Sequence, residues 1–356
     1  MLDTELTRKL GIAFPILQAP MAGGPTTPEL VAAVSNAGGM GNLGAGYLSP
    51  DQIRSAVTDI RQRTDRPFGV NLFIPDQAGE SDAATSDMND YLDRFRTKFG
   101  IATHPSIVKV AESFEEQAAV LLELNVPVFS FTFGIPPLDL IEAMRQRGTF
   151  VIGTATTVEE GIRLEKAGVD AIVAQGSEAG GHRGTFVHQA ADSLIGTMAL
   201  VPQMVDQASV PVIASGGIMD GRGLVASLAL GASAVQMGTV FLASPESGAH
   251  AAYKQQIMAS NEDMTEVTQV YSGKAARGIR TAFMNEMRGY SGPIPAYPIQ
   301  NAMTRDIRQA AAKANDPEYM SLWAGQGLRL AKNVAAAEVV KQTVDQAQAI
   351  MKAFQA

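Results

Sequence analysis

Short apolar runs of strand length alternate with amphipathic stretches of helix length, which points to an α/β protein built as a closed parallel (β/α)8 barrel with an inserted, mainly helical lid. The alternation repeats about eight times, the number that a closed barrel needs. One joint also recurs, in Asn36-Ala37-Gly38, in residues 166–171 and in residues 230–234, each ending an amphipathic helix on a glycine suited to the left-handed C′ position before an apolar strand. Finally, 34 glycines against a single tryptophan supply many tight strand-to-helix turns. An open doubly wound sheet uses the same joints but seldom needs so many consecutive units.

Strands are expected at residues 15–19, 39–43, 68–73, 128–132, 150–154, 171–175, 212–214 and 234–237. Helices are expected at 28–36, 50–61, 113–123, 138–146, 158–167, 194–208 and 223–230. Two stretches break the rhythm. Residues 75–104, with Asp76, Glu80, Asp82, Asp87, Asp90 and Asp93, form an acidic excursion with a helix near 89–99. Residues 245–319 hold helix-like pieces around the Gly- and Pro-rich stretch 289–298 and no strand of barrel type. The domain reading is therefore a barrel of residues 1–244 and 321–356, interrupted by a lid at 245–320, with a last helix over 322–354 packed back on the barrel.

Composition narrows the function. The 356 residues carry a net charge of -8, which argues against a nucleic-acid partner, and 46% hydrophobic with 18% charged residues suits a soluble globular chain rather than a membrane protein. Without cysteine there are no disulfides, thiolate metal sites, iron–sulfur clusters or cysteine nucleophiles, so redox chemistry has to be borrowed from a cofactor. Residues 1–10 mix Asp3 and Glu5 with Arg8 and Lys9, unlike a signal peptide, which makes the cytoplasm the default location. Histidines occur at 104, 182, 188 and 250 without zinc-ligand spacing, and no metal is expected. A homodimer is an open assembly state.

In a parallel barrel the ligand sits at the carboxyl ends of the strands. Ser215-Gly216-Gly217 and Gly238-Thr239 follow the last two barrel strands, where loop amides bare of side chain and the start of a short helix commonly bind a phosphate. Gln175 and Asn71 are carboxamides at strand ends, each offering a donor and an acceptor to a ring such as a flavin pyrimidine or a purine, or else tying two loops together. His182 follows Glu178-Ala179-Gly180-Gly181 directly after the sixth strand, where an imidazole can point into the barrel mouth. Gly39-Met40-Gly41-Asn42-Leu43-Gly44 fits the dinucleotide fingerprint but lies within a strand that follows a helix, the wrong context for that role.

The stretches 15–21, 71–73 and 130–134, the run 173–184 with Glu-Ala-Gly-Gly-His-Arg-Gly, the run 214–223, and Trp323-Ala324-Gly325-Gln326-Gly327 resemble the nitronate monooxygenase family, within it the bacterial class I enzymes, over nearly the whole chain. The resemblance implies an FMN-dependent TIM barrel that oxidises alkyl nitronates, typically propionate 3-nitronate, with O2 to an aldehyde and nitrite or nitrate. It implies that Asn71, Gln175, Gly180, Gly217 and Gln236, Met237, Gly238 and Thr239 hold FMN, joined by Gly216 and with Met21 beside the ring, and that His182 is the catalytic histidine. A nitronate is already a carbanion equivalent, so His182 would position or neutralise its oxygens, and would act as base only on a neutral nitroalkane. Tyr253 and Tyr297 fit the family's ring of substrate tyrosines. The pattern departs at Thr132, in place of a histidine, at Asn301, in place of a tyrosine, and at Arg305, in place of a lysine, although Arg305 could still pair with a substrate carboxylate. The competing enzyme reading is a flavin reductase of the same superfamily that passes hydride from NAD(P)H to a quinone or an enoyl thioester.

Overall fold

The structure is a computed structural model that describes residues 2–75, 82–105 and 109–355. Asp76 and Glu80 of the acidic excursion lie outside the described residues. The strands in chain order are β1 (Ile16–Gln18), β2 (Gly41–Gly44), β3 (Phe68–Phe73), β4 (Val128–Thr132), β5 (Phe150–Ala155), β6 (Ala171–Gln175), β7 (Gly181–His182), β8 (Val212–Ser215), β9 (Ala234–Met237), β10 (Thr265–Thr268) and β11 (Ala276–Ile279). Eight of them form one parallel sheet in the order β1-β9-β8-β6-β5-β4-β3-β2. The sheet closes through a bridge between Leu17 and Met40, with Gln18 N donating to Met40 O at 2.9 Å and Met40 N donating to Ile16 O at 2.9 Å. All eight expected barrel strands are present, and the barrel is a TIM barrel.

The closing seam has few backbone pairs, and two buried carboxamides reinforce it. Gln18 Oε1 accepts from Asn42 N at 3.0 Å, Gln18 Nε2 donates to Asn42 O at 3.2 Å, and Asn42 Nδ2 donates to Gln18 O at 2.7 Å. Asn42 sits in the glycine run that resembles a dinucleotide fingerprint, and the glycines there serve packing. A Cβ on Gly41 would lie 2.2 Å from Val31 O, and one on Gly44 would lie 2.5 Å from Ala22 N. The repeated helix-to-strand joints also turn as expected, with Gly38, Gly168 and Gly231 at φ of +94°, +91° and +94°.

Helices start where their caps stand. Thr27 accepts from Leu30 N before Pro28–Asn36, and Ser49 forms a capping box with Gln52 at the start of Pro50–Arg63. One helix was not expected: Glu5–Leu10 buries Leu6 and Leu10, one turn apart, against Ile12, Leu17, Val128 and Ile213, and so plugs the amino-terminal end of the barrel.

A second apolar core gathers Met88, Leu92 and Phe95 from the helix Asp82–Phe99 with Tyr271, Phe283, Met303, Ile307 and Leu328. That helix begins at Asp82 rather than near 89. Fully buried Arg96 ties it to the helices Ile299–Met303 and Arg305–Lys313: Nε donates to Asp306 at 2.8 Å, Nη1 to Asp93 at 2.8 Å and to Asn89 Oδ1 at 2.7 Å, and Nη2 to Met303 O at 2.9 Å. The segment after residue 245 is helical but also holds β10 and β11, which pair antiparallel with each other; β11 then takes β7 as its other neighbour.

The last helix runs from Ala336 to Ala353, not from residue 322. The stretch before it is held by loop bonds instead: Gly325 N donates to Thr239 Oγ1 at 2.9 Å, Gln326 N to Glu178 O at 3.0 Å, and Trp323 bridges Gly278. Two glycines there allow contacts that a helix would forbid, since a Cβ on Gly325 would lie 2.7 Å from Glu178 O. Among the described residues, no helix is long and apolar enough to cross a membrane, and no group of three or more His, Asp or Glu is placed to hold a metal ion.

The seam carries a prediction. Gln18→Leu keeps the volume but strands the buried N–H and C=O of Asn42, and it is expected to cost about 1–3 kcal/mol. The check is a urea titration, which should show a lower midpoint at unchanged slope.

Candidate functional site

The carboxyl ends of the barrel strands open into a cavity of about 630 Å³ that the second core overhangs. The size lies in the range of cofactor pockets, roughly 300–1,000 Å³. Met21, Asn71, Thr132, Gln175, Gly180, His182, Gly216, Gly217, Gln236, Gly238, Thr239, Tyr253 and Arg305 all line it, so the structure brings together nearly every candidate residue. Two do not line it: Tyr297, and Met237, which is 1% exposed and packed in the barrel core, as the inward–outward alternation of a strand requires when Gln236 faces the cavity.

One end of the cavity is a cradle of main-chain amides. Gly216 and Gly217 adopt φ of +122° and +71°, which glycine tolerates and other residues resist. Among the described residues, the N–H groups of Gly216, Gly217, Gly238 and Thr239 have no protein acceptor. Thr239 Oγ1 accepts from Gly325 N, which leaves its hydrogen available to a ligand. Among the described residues, no acidic side chain lines this cradle. Glu178, whose Cβ would lie 3.4 Å from a Cβ on Gly217, is turned to Thr197, whose N and Oγ1 each donate to it at 2.9 Å, and Asp220 is paired with Arg222 at 2.6 Å. The one carboxylate in the cavity wall among the described residues, Glu112, is paired with Lys109 at 2.6 Å.

The two carboxamides differ. Gln175 ties the loop that follows its strand: Nε2 donates to His182 O at 3.0 Å, and Oε1 accepts from Gly184 N at 2.8 Å. Asn71 Nδ2 donates to Ser130 Oγ at 3.0 Å, and its Oδ1 takes no protein donor among the described residues. Gly180 is glycine for a packing reason, because a Cβ there would lie 2.5 Å from the backbone of Ala324 and Gly325.

At the other end stands His182, placed by β7 against β11. Its ring lies among Phe133, Tyr297 and Trp323, at centroid distances of 5.8, 5.9 and 5.4 Å. Nε2 is 2.8 Å from Ser272 Oγ, and Ser272 Oγ donates to Lys274 O at 3.0 Å. With the serine hydrogen engaged there, the imidazole proton sits on Nε2 and Nδ1 is the free acceptor. Burial, and then the charges of Lys274 and Arg308, push the imidazole down to about 3, so His182 is neutral at physiological pH. Tyr253 lines the wall with its ring, while its hydroxyl donates to Trp323 O and is not free for a ligand. Tyr297 touches His182 without lining the cavity itself, and Thr132 Oγ1 is 3.4 Å from Thr154 Oγ1.

Sequence reading missed Phe133, Ser272 and Arg308. Phe133 holds φ of +82°, and Lys274 sits 4.7 Å from its ring centre. That strain follows a strand end and has no local sequence sign. Ser272 acts across a turn remote in sequence from His182. Arg308 did carry a sign, since it lies three residues beyond Arg305 on the same helix face.

The nitronate monooxygenase family model matches residues 3–346. A protein described as a probable nitronate monooxygenase from Staphylococcus saprophyticus is 48% identical over 352 residues, 98% of this chain and 99% of the relative, and one so described from Staphylococcus aureus is 47% identical over 98% of each chain. Among solved structures, a nitroalkane oxidase from Streptomyces ansochromogenes superposes with a TM-score of 0.92 at 38% identity, covering 98% of this chain and 99% of that one. FabK from Thermotoga maritima superposes with a TM-score of 0.79 at 32% identity, covering 100% and 99%.

The depressed imidazole makes stability pH-dependent. Between about 3 and 6.5 the unfolded chain binds a proton at His182 that the folded chain refuses, so folding is weakened as pH falls through that window. Thermal midpoints measured from pH 7 to pH 4 are expected to fall less steeply for His182→Asn than for the wild type.

Proposed function

The chain belongs to the nitronate monooxygenase family, and we propose that it is an FMN-dependent enzyme oxidising alkyl nitronates of the propionate 3-nitronate kind with O2 to an aldehyde and nitrite or nitrate. The observation that carries this reading is a single cavity with an unpaired amide cradle at one end and a neutral histidine at the other. The residues fit FMN. Amides of Gly216, Gly217, Gly238 and Thr239 suit its phosphate dianion, because they carry partial positive charge and no side chain intervenes. Asn71 and Gln236 offer carboxamides toward its ring, with Met21, Gln175 and Gly180 as walls. When bound, FMN supplies the electron transfer that side chains cannot.

The chain's own residues bind, orient and exclude water. A nitronate needs no proton removed, so a neutral His182 is consistent with the reaction: its ring, fixed by Ser272, bounds the substrate end of the cavity. Phe133, Tyr297 and Trp323 shield that end from water. Residues 245–320 form the lid, with Thr132, Tyr253 and Arg305 as substrate wall and Tyr297 behind His182. The setting is the cytoplasm, and the partners are a small nitronate and O2.

The test is oxygen consumption with propionate 3-nitronate, ethylnitronate and NADH in parallel. Turnover is expected with the nitronates. Rapid anaerobic bleaching of the flavin by NADH would move the chain to the reductases. His182→Asn is expected to lower nitronate turnover at least tenfold while the purified protein stays yellow; full activity in that variant removes His182 from the reaction.

A further inference from the structure

The neutral state of His182 leaves a question of charge. An anionic substrate brought into a cavity walled by aromatic rings loses much of its hydration and needs a compensating charge. An imidazole pushed down to about 3 by its surroundings does not provide one. Three cationic side chains line the cavity among the described residues: Lys109, Arg305 and Arg308. Lys109 is already paired with Glu112. Arg305 opens its helix as an exposed side chain.

Arg308 is different. Its guanidinium is held on one edge by neutral oxygens only: Nη2 donates to Asn301 O at 2.7 Å and to Asn301 Oδ1 at 2.9 Å, and Nε to Thr304 O at 3.3 Å. Asn301 and Thr304 sit at the carboxyl end of the helix Ile299–Met303, where the helix dipole offers only a fraction of a negative charge. Nη1 donates to no protein acceptor among the described residues, and no carboxylate there makes an ion pair with Arg308. The neighbouring Asp306 is committed to Arg96 at 2.8 Å. Arg308 is half-buried in the cavity wall, and its cavity side has no ionic partner among the described residues.

Resting on the nitronate reading above, we propose that Arg308 is the counter-charge of the substrate, so that this cavity selects the anionic nitronate over the neutral nitroalkane, with Asn301 and Thr304 presenting the guanidinium. His182 then remains an uncharged wall of the site. The cavity's positive end serves the substrate anion as the amide cradle serves a phosphate at the other end. Asn301, a departure from the family pattern, acquires a role as the residue that aims Arg308.

The probe is nitrate, a compact planar anion that needs no turnover, read by the fluorescence of Trp323, the one tryptophan of the chain, 5.4 Å from the His182 ring. Nitroethane is the neutral control. In the flavin-loaded wild type nitrate is expected to bind, and Arg308→Gln to weaken it about tenfold to a hundredfold, the range for a hydrogen bond to a charged group, with nitroethane unchanged. The KM for ethylnitronate should rise in parallel. If Arg308→Gln does not fold, Arg308→Lys decides, because a shorter side chain with a single ammonium should bind nitrate at least threefold more weakly. Nitrate binding in either folded variant equal to the wild type, or absent from the wild type, overturns the proposal. Arg308-dependent nitrate binding in a protein that fails to oxidise ethylnitronate upholds the anion site and sinks the nitronate reading alone.

Discussion

The site depends on one buried cation, Arg183, which is fully inaccessible and contacts no ligand surface. Nη1 donates to Gly176 O at 2.6 Å, and Nη2 to Gln175 O at 2.9 Å and Ser193 O at 3.0 Å. A guanidinium removed from water is costly, and although Nε has no protein partner among the described residues, the two Nη groups organise the carbonyls of the loop around themselves. Desolvation shows in its acidity, pushed down to about 10. The loop leaving β6 is thereby folded back, and the Gln175 carboxamide clamps its far side at His182 and Gly184. Only in that conformation can β7 add to β11 and bring the imidazole under the second core. The Gly-Gly-His-Arg-Gly string is thus one device: a close approach at Gly180, a left-handed turn at Gly181 with φ of +78°, the working ring, and the cation that anchors it.

How much of this was legible depends on whether the information is local. Strands and glycine joints were readable because periodicity and the left-handed preference of glycine act over a few residues. The amide cradle was readable for the same reason: two short glycine loops at the last barrel strands need no partner to be recognised. Roles set by distant partners were hidden. Nothing local distinguishes a Tyr253 that donates to Trp323 O from one that meets substrate, or a Gln175 that binds a loop from one that reads a ring. The stretch 322–335 looked helical in its apolar spacing, yet its glycines are taken by contacts with Glu178 and Thr239, more than 80 residues away in sequence. The hairpin of β10 and β11 was missed because each strand is only four residues long and is completed by β7.

The acidic excursion illustrates the same point in its charges. Asp93 reads as a solvated acid, but in the fold it meets buried Arg96, which also takes Asp306 from the opposite side of the second core. That pairing fixes the helix Arg305–Lys313 against the helix Asp82–Phe99 and commits the Asp306 carboxylate to Arg96, so that it makes no ion pair with Arg308. An excursion that seemed peripheral therefore decides which cation on the cavity wall is left without a partner.

On the proposed reading, a chain of net charge -8 has to admit anions at two places, and it offers two different means. Toward the cradle it offers backbone dipoles, which cannot be titrated and stay in place across the pH range. Toward the histidine it offers a guanidinium, which remains charged where an imidazole would not. If His182 carried the positive charge itself, substrate binding would fade as pH rose past the histidine range, because the cation would be lost. With His182 held neutral by burial and by Lys274 and Arg308, the fixed cation nearby carries the charge in its place. Separating the uncharged ring from the charge-bearing group lets each be fixed by its own contacts, Ser272 for the ring and Asn301 for the guanidinium.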